Sequence, residues 1–425
     1  MIDTKILRER LADFKKAAEQ KGISLDFDRL VELLDRRAAL LQQIEEKNHA
    51  KKEAATARDA EAGRQLKTET AALEVDFRAL DEEATALLLQ VPTIPAPDAP
   101  IGKSDADNVE MQRWREIPSF DFAPKNHIEL MKDLDLADFE RGVKVHGFRG
   151  YFLKNEAVLM QQGLLQLGLE RMRERGFELH SAPMIVREAA LISSGHFPGG
   201  RDEAFEIANT EEEAGGQREP KFLAGTAEVA LVHKFSNEIL DAADLPKKMC
   251  GVSSCFRSEV GSYGKDTRGI YRIHEFQKVE MVVLCRADLA ESEKLWREMF
   301  EAGRSLVEDL GLPHREFAAC TGDMGTGKWR MSDLEVWWPS RENGAGGWGE
   351  SGSCSNLLDW QARRAGIRYR DGAEKKFPFM LNNTMIASPR ILGAILENCQ
   401  QADGSVVVPE ILRPFVMKER IERRS

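Results

Sequence analysis

Cysteine is scarce and scattered: the six in the chain, Cys250, Cys255, Cys285, Cys320, Cys354 and Cys399, form no CxxC pair. A disulfide framework or zinc ribbon needs tighter spacing, so free thiols in a reducing compartment are expected. Long apolar runs are missing too. No stretch of about 18 apolar residues occurs, which excludes a transmembrane helix and a membrane partner reached through one. The opening MIDTKILRERLADFKK has no apolar h-region, so a secretory signal is not expected. Positive charge is not in excess either. A net charge of -11 argues against an indiscriminate nucleic-acid binder but leaves room for a local basic patch. The expectation is a soluble, cytoplasmic protein. What is present is 42% hydrophobic and 31% charged residues over 425 positions, enough for a sizeable core and, by length, two or three domains.

Glycine and proline are nearly absent before residue 91. Leu66, Leu73, Leu80 and Leu87 recur every seven residues, with Thr70, Phe77 and Ala84 in the alternate seam positions. This a/d pattern predicts a coiled-coil helix. The preceding segment, residues 27–58, carries Leu34, Leu41, Asn48 and Ala55 at heptad spacing, although Arg37 and Lys51 share its seam. DAEAGR lies between, with Gly63 as the expected break. Each helix has one apolar stripe and needs a partner, so an antiparallel helical hairpin over about residues 28–90 is predicted. A dimerisation coil and an RNA-contacting arm are both compatible with it. Its turn region collects Lys47, Lys51, Lys52, Arg58, Arg64 and Lys67, interleaved with Glu53, Asp59 and Glu61, and such a basic tip would suit RNA phosphates.

VPTIPAPDAPIG, residues 91–102, holds four prolines and reads as a boundary between an N-terminal domain, 1–102, and a second domain, 103–425. Beyond it, strand-like runs (MIVRE, KVEMVVLC, LEVWWP, SVVVPEIL) alternate with helical patterns over residues 156–176 and 290–310. Glycine-rich, hairpin-like connections favour an α+β fold around a largely antiparallel sheet flanked by helices. Residues 322–328, GDMGTGK, fit G-x-x-x-x-G-K, the phosphate-cradling loop. Trp329 stands where Ser or Thr would hold Mg²⁺, EFAAC before it is a poor buried strand, and no parallel sheet is in view, so a surface loop is expected.

The segment richest in chemistry is CFRSEVGSYGKDTRGIYRIHEFQKVEMV, residues 255–282. Strand-like ends flank a loop of Gly261, Ser262, Tyr263, Gly264, Lys265, Asp266 and Thr267. Arg257 and Glu259 are expected on one strand face, Lys278 and Glu280 on one face of the returning strand. Charges on an inward face are costly unless paired or bound to a ligand. Alone, the segment is also compatible with an ordinary charged hairpin.

It resembles motif 2 of the class II aminoacyl-tRNA synthetases, in the form of the seryl-tRNA synthetase family. LQLGLERMRERGFELHSAPMIVRE (residues 165–188), ending its strand at Pro183, resembles motif 1, and ASPRILGAILEN (387–398) resembles motif 3. FLAGTAEV resembles the family's T-x-E serine loop, and ESGSCSNLLDWQARR its E-I-S-S-C-S-N signature. The motifs come in the family's order and, with the helical hairpin and proline run, cover essentially the whole chain.

The resemblance implies a class II catalytic domain behind an N-terminal tRNA-binding domain. It implies activation of L-serine with ATP to seryl-adenylate and pyrophosphate, then transfer to the terminal adenosine of tRNA(Ser), with tRNA(Sec) as a further acceptor. Arg257 would bridge the α-phosphate and the serine carboxylate, where a guanidinium fork suits both groups. Glu259 and Phe276 would hold adenine; Arg272 and Arg390 the outer phosphates; Ile273 and Asn382 would line the ATP site. Glu350 and Ser353 would ligate Mg²⁺. Thr226 and Glu228 would meet the serine amino group, Glu280 and Thr384 its hydroxyl. Lys51, Lys52, Arg58 and Arg64 would contact the long variable arm of the tRNA. A homodimer through motif 1 is implied, and no zinc is expected: Cys354 sits beside ligands without a His or Cys cluster.

The chain departs from the family pattern in places. NTMIASPR (383–390) replaces GSGLAVGR, Glu350-Ser351-Gly352-Ser353 replaces E-I-S-S, and residues 343–349 form a glycine-rich insert. Gly225 and Ala230 stand where the serine loop has prolines. A seryl-adenylate-forming paralogue that loads a carrier, and a non-catalytic RNA-binding paralogue, are the alternatives. The tRNA-binding arm speaks against the first. The intact Arg257, Glu259, Arg272, Glu350 and Arg390 speak against the second.

Overall fold

The computed structural model describes residues 2–208, 219–260 and 269–424. The motif 2 loop from Gly261 to Thr267 therefore lies outside the described residues. Two compact units divide the chain, Met1–Ile94 and Pro95–Ser425.

In the first unit, short helices α1 (Thr4–Glu9) and α2 (Leu11–Gln20) precede the long α3 (Phe27–Thr56) and α4 (Ala60–Leu88). α3 and α4 run antiparallel, because their ion pairs climb one helix as they descend the other: Arg29–Glu83 at 2.8 Å, Arg37–Asp81 at 2.5 Å and Lys47–Glu69 at 2.6 Å. At 30 residues α3 is about 45 Å long. The α4 seam follows the expected heptad, with Thr70, Leu80 and Ala84 buried. The α3 seam does not. Leu34 is buried, but Leu41, Asn48 and Ala55 are exposed, and Leu33 and Leu40, one position earlier, turn inward with Ile44. Leu33–Leu34 and Leu40–Leu41 are doublets, so the pattern alone offers both registers; the register seen also joins Arg37 and Lys47 to acids of α4. The break also falls earlier than Gly63, which lies inside α4. Arg58 turns the chain at φ 56°, and the Asp59 carboxylate caps α4 by accepting from the Glu61 and Ala62 amides.

The second unit is built on a sheet of eight strands: β1 (Val109–Trp114), β2 (Glu178–Ser181), β3 (Lys247–Phe256), β4 (Glu275–Cys285), β5 (His314–Ala318), β6 (Arg330–Trp338), β7 (Gly347–Asn356) and β8 (Phe379–Ala387), in the order β1-β5-β6-β7-β8-β4-β3-β2. All neighbours are antiparallel except β2, which runs parallel to β3 at the edge. EFAAC thus contributes to a strand after all, β5, but an antiparallel one. The run SVVVPEIL supplies only a two-residue strand, Val406–Val407, before a 3-10 turn. The glycine-rich insert is partly strand: Gly347, Trp348 and Gly349 open β7 against Trp338, Trp337 and Val336.

Helices α5 (Glu156–Glu174), α6 (Leu289–Asp309) and α7 (Ser388–Asn398) pack on one face of this sheet. Alternation along β4 explains the division of labour. Val279, Met281 and Val283 enter the main core with Met172, Phe300 and Ile395. On the other face, Val282 and Leu284 join a second cluster with Leu231 and Met380, while Lys278 and Glu280 open onto a cavity. The proline run from Ala96 on is seated within this unit, the Ala96 amide donating to the Trp329 carbonyl and the Thr321 amide to the Pro100 carbonyl, each at 2.8 Å.

Candidate active site

A cavity of about 490 Å³ opens on the sheet face opposite the three helices, lined by Thr226, Glu228, Arg257, Lys278, Glu280 and Glu350 together with Ser353, Asn382 and Thr384. A smaller cavity of about 50 Å³ shares Arg257, Glu350 and Thr384 with it and adds Glu259, Ile273, Phe276 and Arg390. The structure thus brings together residues singled out in four separated motifs. Arg272 lines neither cavity. It stands behind Glu259, donating to its carboxylate at 2.9 Å.

Two β-bulges shape the floor. One lies between Val279 and Glu280 where β4 meets β8. The other lies at Ser351, where Gly352 pairs with Leu334 but Glu350 with Glu335. An extra residue reverses the alternation, so Glu350 and Ser353, three apart, open onto the same cavity. Asn382 and Thr384 reach it by ordinary period-two spacing on β8. Arg257 and Glu259 do not share a strand face as expected: β3 ends at Phe256, and Glu259 turns at φ 52°. They still line one cavity, because irregular backbone carries both inward.

At the far end from Arg390, the Glu280 carboxylate is 2.5 Å from the Lys278 ammonium and accepts from the Thr384 hydroxyl at 3.2 Å. The ion pair that a structural reading of Glu280 predicts is therefore present, alongside a hydroxyl contact. Glu228 accepts from Asn382 at 2.7 Å and Gln361 at 2.8 Å, and the Thr226 hydroxyl accepts from the Glu228 amide at 3.3 Å. Burial pushes the Glu280 carboxyl up, and the nearby Glu228 charge adds to the rise against the pull of Lys278. Arg257 lies over the Phe276 ring at 5.4 Å, and its Nε donates to the Gly225 carbonyl at 3.4 Å.

At the other end, Arg390 in the first turn of α7 donates to the Glu350 carbonyl at 3.0 Å, and its guanidinium is 3.3 Å from the Glu350 carboxylate. Burial opposes ionisation of Glu350, but Arg390, Arg257 and Lys328 outweigh it and hold its pKa low. Asp333, opposite Ser353 across β6 and β7, is driven the other way, to about 8, by burial and the Glu350 charge. The Asp333 Oδ1 and Ser353 Oγ are both buried, and the Ser353 hydroxyl tempers the rise at Asp333. An ionised carboxylate beside a buried hydroxyl and a second carboxyl is a donor set that fits a hard divalent cation.

Sequence reasoning missed His196, Trp360 and Lys328 in the wall, and Gln361, which holds Glu228 from behind. His196 is neutral, its pKa pushed down to about 4 by burial and then by Arg257, Lys278 and Lys328. Its Nδ1 is 2.9 Å from the Ser194 hydroxyl. Lys328 belongs to GDMGTGK, and Gly325 to Lys328 form cavity wall rather than a surface loop; the G-K spacing was its only signal. Cys354, beside Ser353, is fully buried, its thiol pushed far up by burial and donating to the Trp296 carbonyl at 3.4 Å. The four basic residues of the arm, Lys51, Lys52, Arg58 and Arg64, are all exposed around the α3–α4 turn.

Comparison with known proteins agrees with this layout. Residues 1–95 match the family model of the seryl-tRNA synthetase N-terminal domain, and residues 211–399 that of the tRNA synthetase class II core domain (G, H, P, S and T). A serine–tRNA ligase of Deinococcus radiodurans is 41% identical over 98% of this chain and 97% of its own length. The chain belongs to the seryl-tRNA synthetase family. Another serine–tRNA ligase, from Rubrobacter xylanophilus, is 37% identical over 99% of each chain. Among solved structures, the Pyrococcus horikoshii seryl-tRNA synthetase complexed with ATP superposes with a TM-score of 0.87 at 31% identity, covering 100% of both chains. The cytoplasmic serine–tRNA ligase of Naegleria fowleri in complex with AMP gives 0.84 at 25%, covering 98% of this chain and 96% of that one. Among the described residues, no helix is long and apolar enough to cross a membrane.

Proposed function

We propose that this chain is a serine–tRNA ligase whose two cavities bind L-serine and ATP. A serine carboxylate oxygen attacks the α-phosphorus, the bond to pyrophosphate breaks, and seryl-adenylate remains. A ribose hydroxyl of the terminal adenosine of tRNA(Ser), or of tRNA(Sec), then attacks the seryl carbonyl and AMP leaves. The observation that carries this reading is the hydrogen-bonded pair of the buried Glu280 and the half-buried Thr384 in the same cavity as Arg257. A carboxylate and a hydroxyl fixed 3.2 Å apart form a donor–acceptor site for a small alcohol. Alanine would leave Glu280 short of a partner, and that rejects it strongly.

The remaining roles are those the family's motifs suggest. Glu228 and Thr226 bind the ammonium group, and Glu228 is held for it by Asn382 and Gln361. Arg257 orients carboxylate and α-phosphate and takes up charge developing on phosphorus. Glu259 and Phe276 seat adenine, with Ile273 lining the ATP site, while Arg272 and Arg390 align the outer phosphates. Glu350 and Ser353 would hold Mg²⁺, which when bound supplies positive charge on the phosphate oxygens. Positioning and electrostatics suffice, so no protein nucleophile is needed. Residues 1–102 form the tRNA-binding domain, with Lys51, Lys52, Arg58 and Arg64 on the variable arm, and residues 103–425 the catalytic domain. A cytoplasmic homodimer through motif 1 completes the reading; the strand of that motif, β2, is an edge strand with Leu179 41% exposed. No zinc enters the reading.

The decisive experiment is aminoacylation of a tRNA with a long variable arm, run beside serine-dependent ATP–pyrophosphate exchange. Exchange without charging would favour a carrier-loading enzyme, and neither activity would favour the non-catalytic alternative.

A further inference from the structure

The glycine-rich insert at 343–349 makes room for the side chain of Arg341, which opens the helical turn Arg341–Gly344 just before β7. A Cβ on Gly349 would lie 3.1 Å from Arg341 Cζ and 2.8 Å from Trp338 Nε1, and one on Gly347 would lie 3.1 Å from Arg341 Cβ. The guanidinium that passes over this bare backbone donates to the Trp348 carbonyl at 2.7 Å and lies over the Tyr271 ring at 4.4 Å. Trp338 meets the same ring edge to face at 5.3 Å, and a second guanidinium, that of Arg390, lies over it at 4.8 Å. The Tyr271 hydroxyl donates at 3.4 Å to the Glu350 carbonyl, the oxygen that also accepts from Arg390. Tyr271 is buried and lines neither cavity, whereas Arg390 lines the smaller one.

We propose that Tyr271 is a positioning residue: its ring holds the Arg390 guanidinium at the cavity for the outer phosphates of ATP, and Arg341 holds the ring. This rests on reading the two cavities as an adenylation site. An aromatic face attracts a guanidinium while using none of its N–H donors. Those not bonded to Glu350 therefore stay available for phosphate oxygens. A long arginine side chain also loses less freedom on meeting a phosphate when a ring has already fixed it. The hydroxyl is the weaker half of the contact, since 3.4 Å lies beyond the usual O–H···O range. Tyr271 also packs in the main core, so the test must separate holding Arg390 from filling space.

The test uses the full chain with Mg²⁺ present and measures calorimetric affinities for ATP, adenosine and serine beside pyrophosphate exchange. Tyr271→Leu is expected to bind ATP about tenfold more weakly and to raise the exchange KM for ATP in step, with adenosine and serine within about twofold of wild type. Tyr271→Phe, which keeps the face, should recover most of that loss. Arg341→Met should weaken ATP in the same direction by a smaller factor. The deciding comparison is the cycle with Arg390→Ala, read on ATP because its adenosine end keeps binding measurable. With Arg390 absent, Tyr271→Leu should cost less than about twofold. Where Tyr271→Leu does not fold, Tyr271→Met replaces it. ATP affinity in Tyr271→Leu within about twofold of wild type overturns the proposal. So does a loss shared equally by adenosine, or one that persists in the Arg390→Ala background, since either marks a structural role. Wild-type ATP affinity in Arg341→Met overturns the part given to Arg341. If the wild type shows no exchange, the adenylation reading fails and the positioning role is judged by the ATP cycle alone; a wild type that binds no ATP overturns both.

Discussion

The Lys278 ammonium lies 2.5 Å from the Glu280 carboxylate, two residues apart on one face of β4, with both side chains buried. One pair thereby does two jobs. It neutralises charges that the sheet has taken out of water, and it leaves a second side of the carboxylate for the Thr384 hydroxyl and a substrate. Replacing Glu280 by Ala should cost about 3–5 kcal/mol through the stranded lysine and remove the preference for serine over alanine in pyrophosphate exchange. The double variant Lys278→Met/Glu280→Ala should regain stability in thermal melts without regaining the preference. Retained discrimination in either variant would take Glu280 out of the serine site.

Arg257 offers a cleaner separation, since it donates to a carbonyl and lies over an aromatic face, and its effect on the Glu350 charge is shared with Arg390 and Lys328. Arg257→Ala should melt within a few degrees of wild type yet lose about a hundred- to a thousandfold in exchange kcat, or roughly 3–4 kcal/mol of transition-state stabilisation. Exchange near the wild-type rate would remove Arg257 from the chemistry.

A pH-dependent term comes from Glu156 at the start of α5, which Lys418 meets at 2.6 Å and Arg424 at 3.1 Å. Burial opposes its charge, but these partners dominate and lower its pKa to about 2, against 4.5 for an ordinary glutamate. A depressed carboxylate pKa stabilises the fold above the unfolded value, and that contribution is lost as pH falls from about 4.5 towards 2. Glu156→Gln should therefore lower Tm at pH 7 and converge on wild type as the melts are taken towards pH 2. A Tm difference that stays constant over that range would deny the linkage.

Much of this architecture is legible in the sequence because its signals are local. Heptads predict the hairpin, period-two spacing puts Lys278 with Glu280, and the motif order assigns the sheet. Residues set by non-local geometry are not legible. The bulge at Ser351 puts Glu350 and Ser353 on one face although their spacing of three says otherwise. The leucine doublets of α3 allow two seams, and the register seen is the one that reaches acids on α4. Lys328 looks like surface until Trp360 and the irregular backbone of Gly102 and Lys103 close around its loop. Arg257 and Glu259 share a cavity without sharing a strand, since the chain leaves β3 one residue before Arg257.

The arm should serve tRNA and not adenylation. All residues proposed for the chemistry lie in the second unit, which has its own core, so residues 105–425 are expected to fold and dimerise alone; a monomer by sedimentation, beside a dimeric full chain, would assign the dimer to the coiled coil. Within the full chain, the cut that removes residues 36–83 leaves the base of the hairpin, where Leu30, Leu33 and Leu34 pack with Leu88 and Val91, and takes away the exposed tip with Lys51, Lys52, Arg58 and Arg64. Joined by a short turn, this variant should keep pyrophosphate exchange while charging collapses. Reversing the four basic residues to Glu in the intact arm should weaken tRNA binding and flatten its dependence on salt, because each lost phosphate contact removes close to one released counterion from the slope. An unchanged KM for tRNA in the shortened enzyme would give the arm to a different partner and revive the carrier-loading alternative.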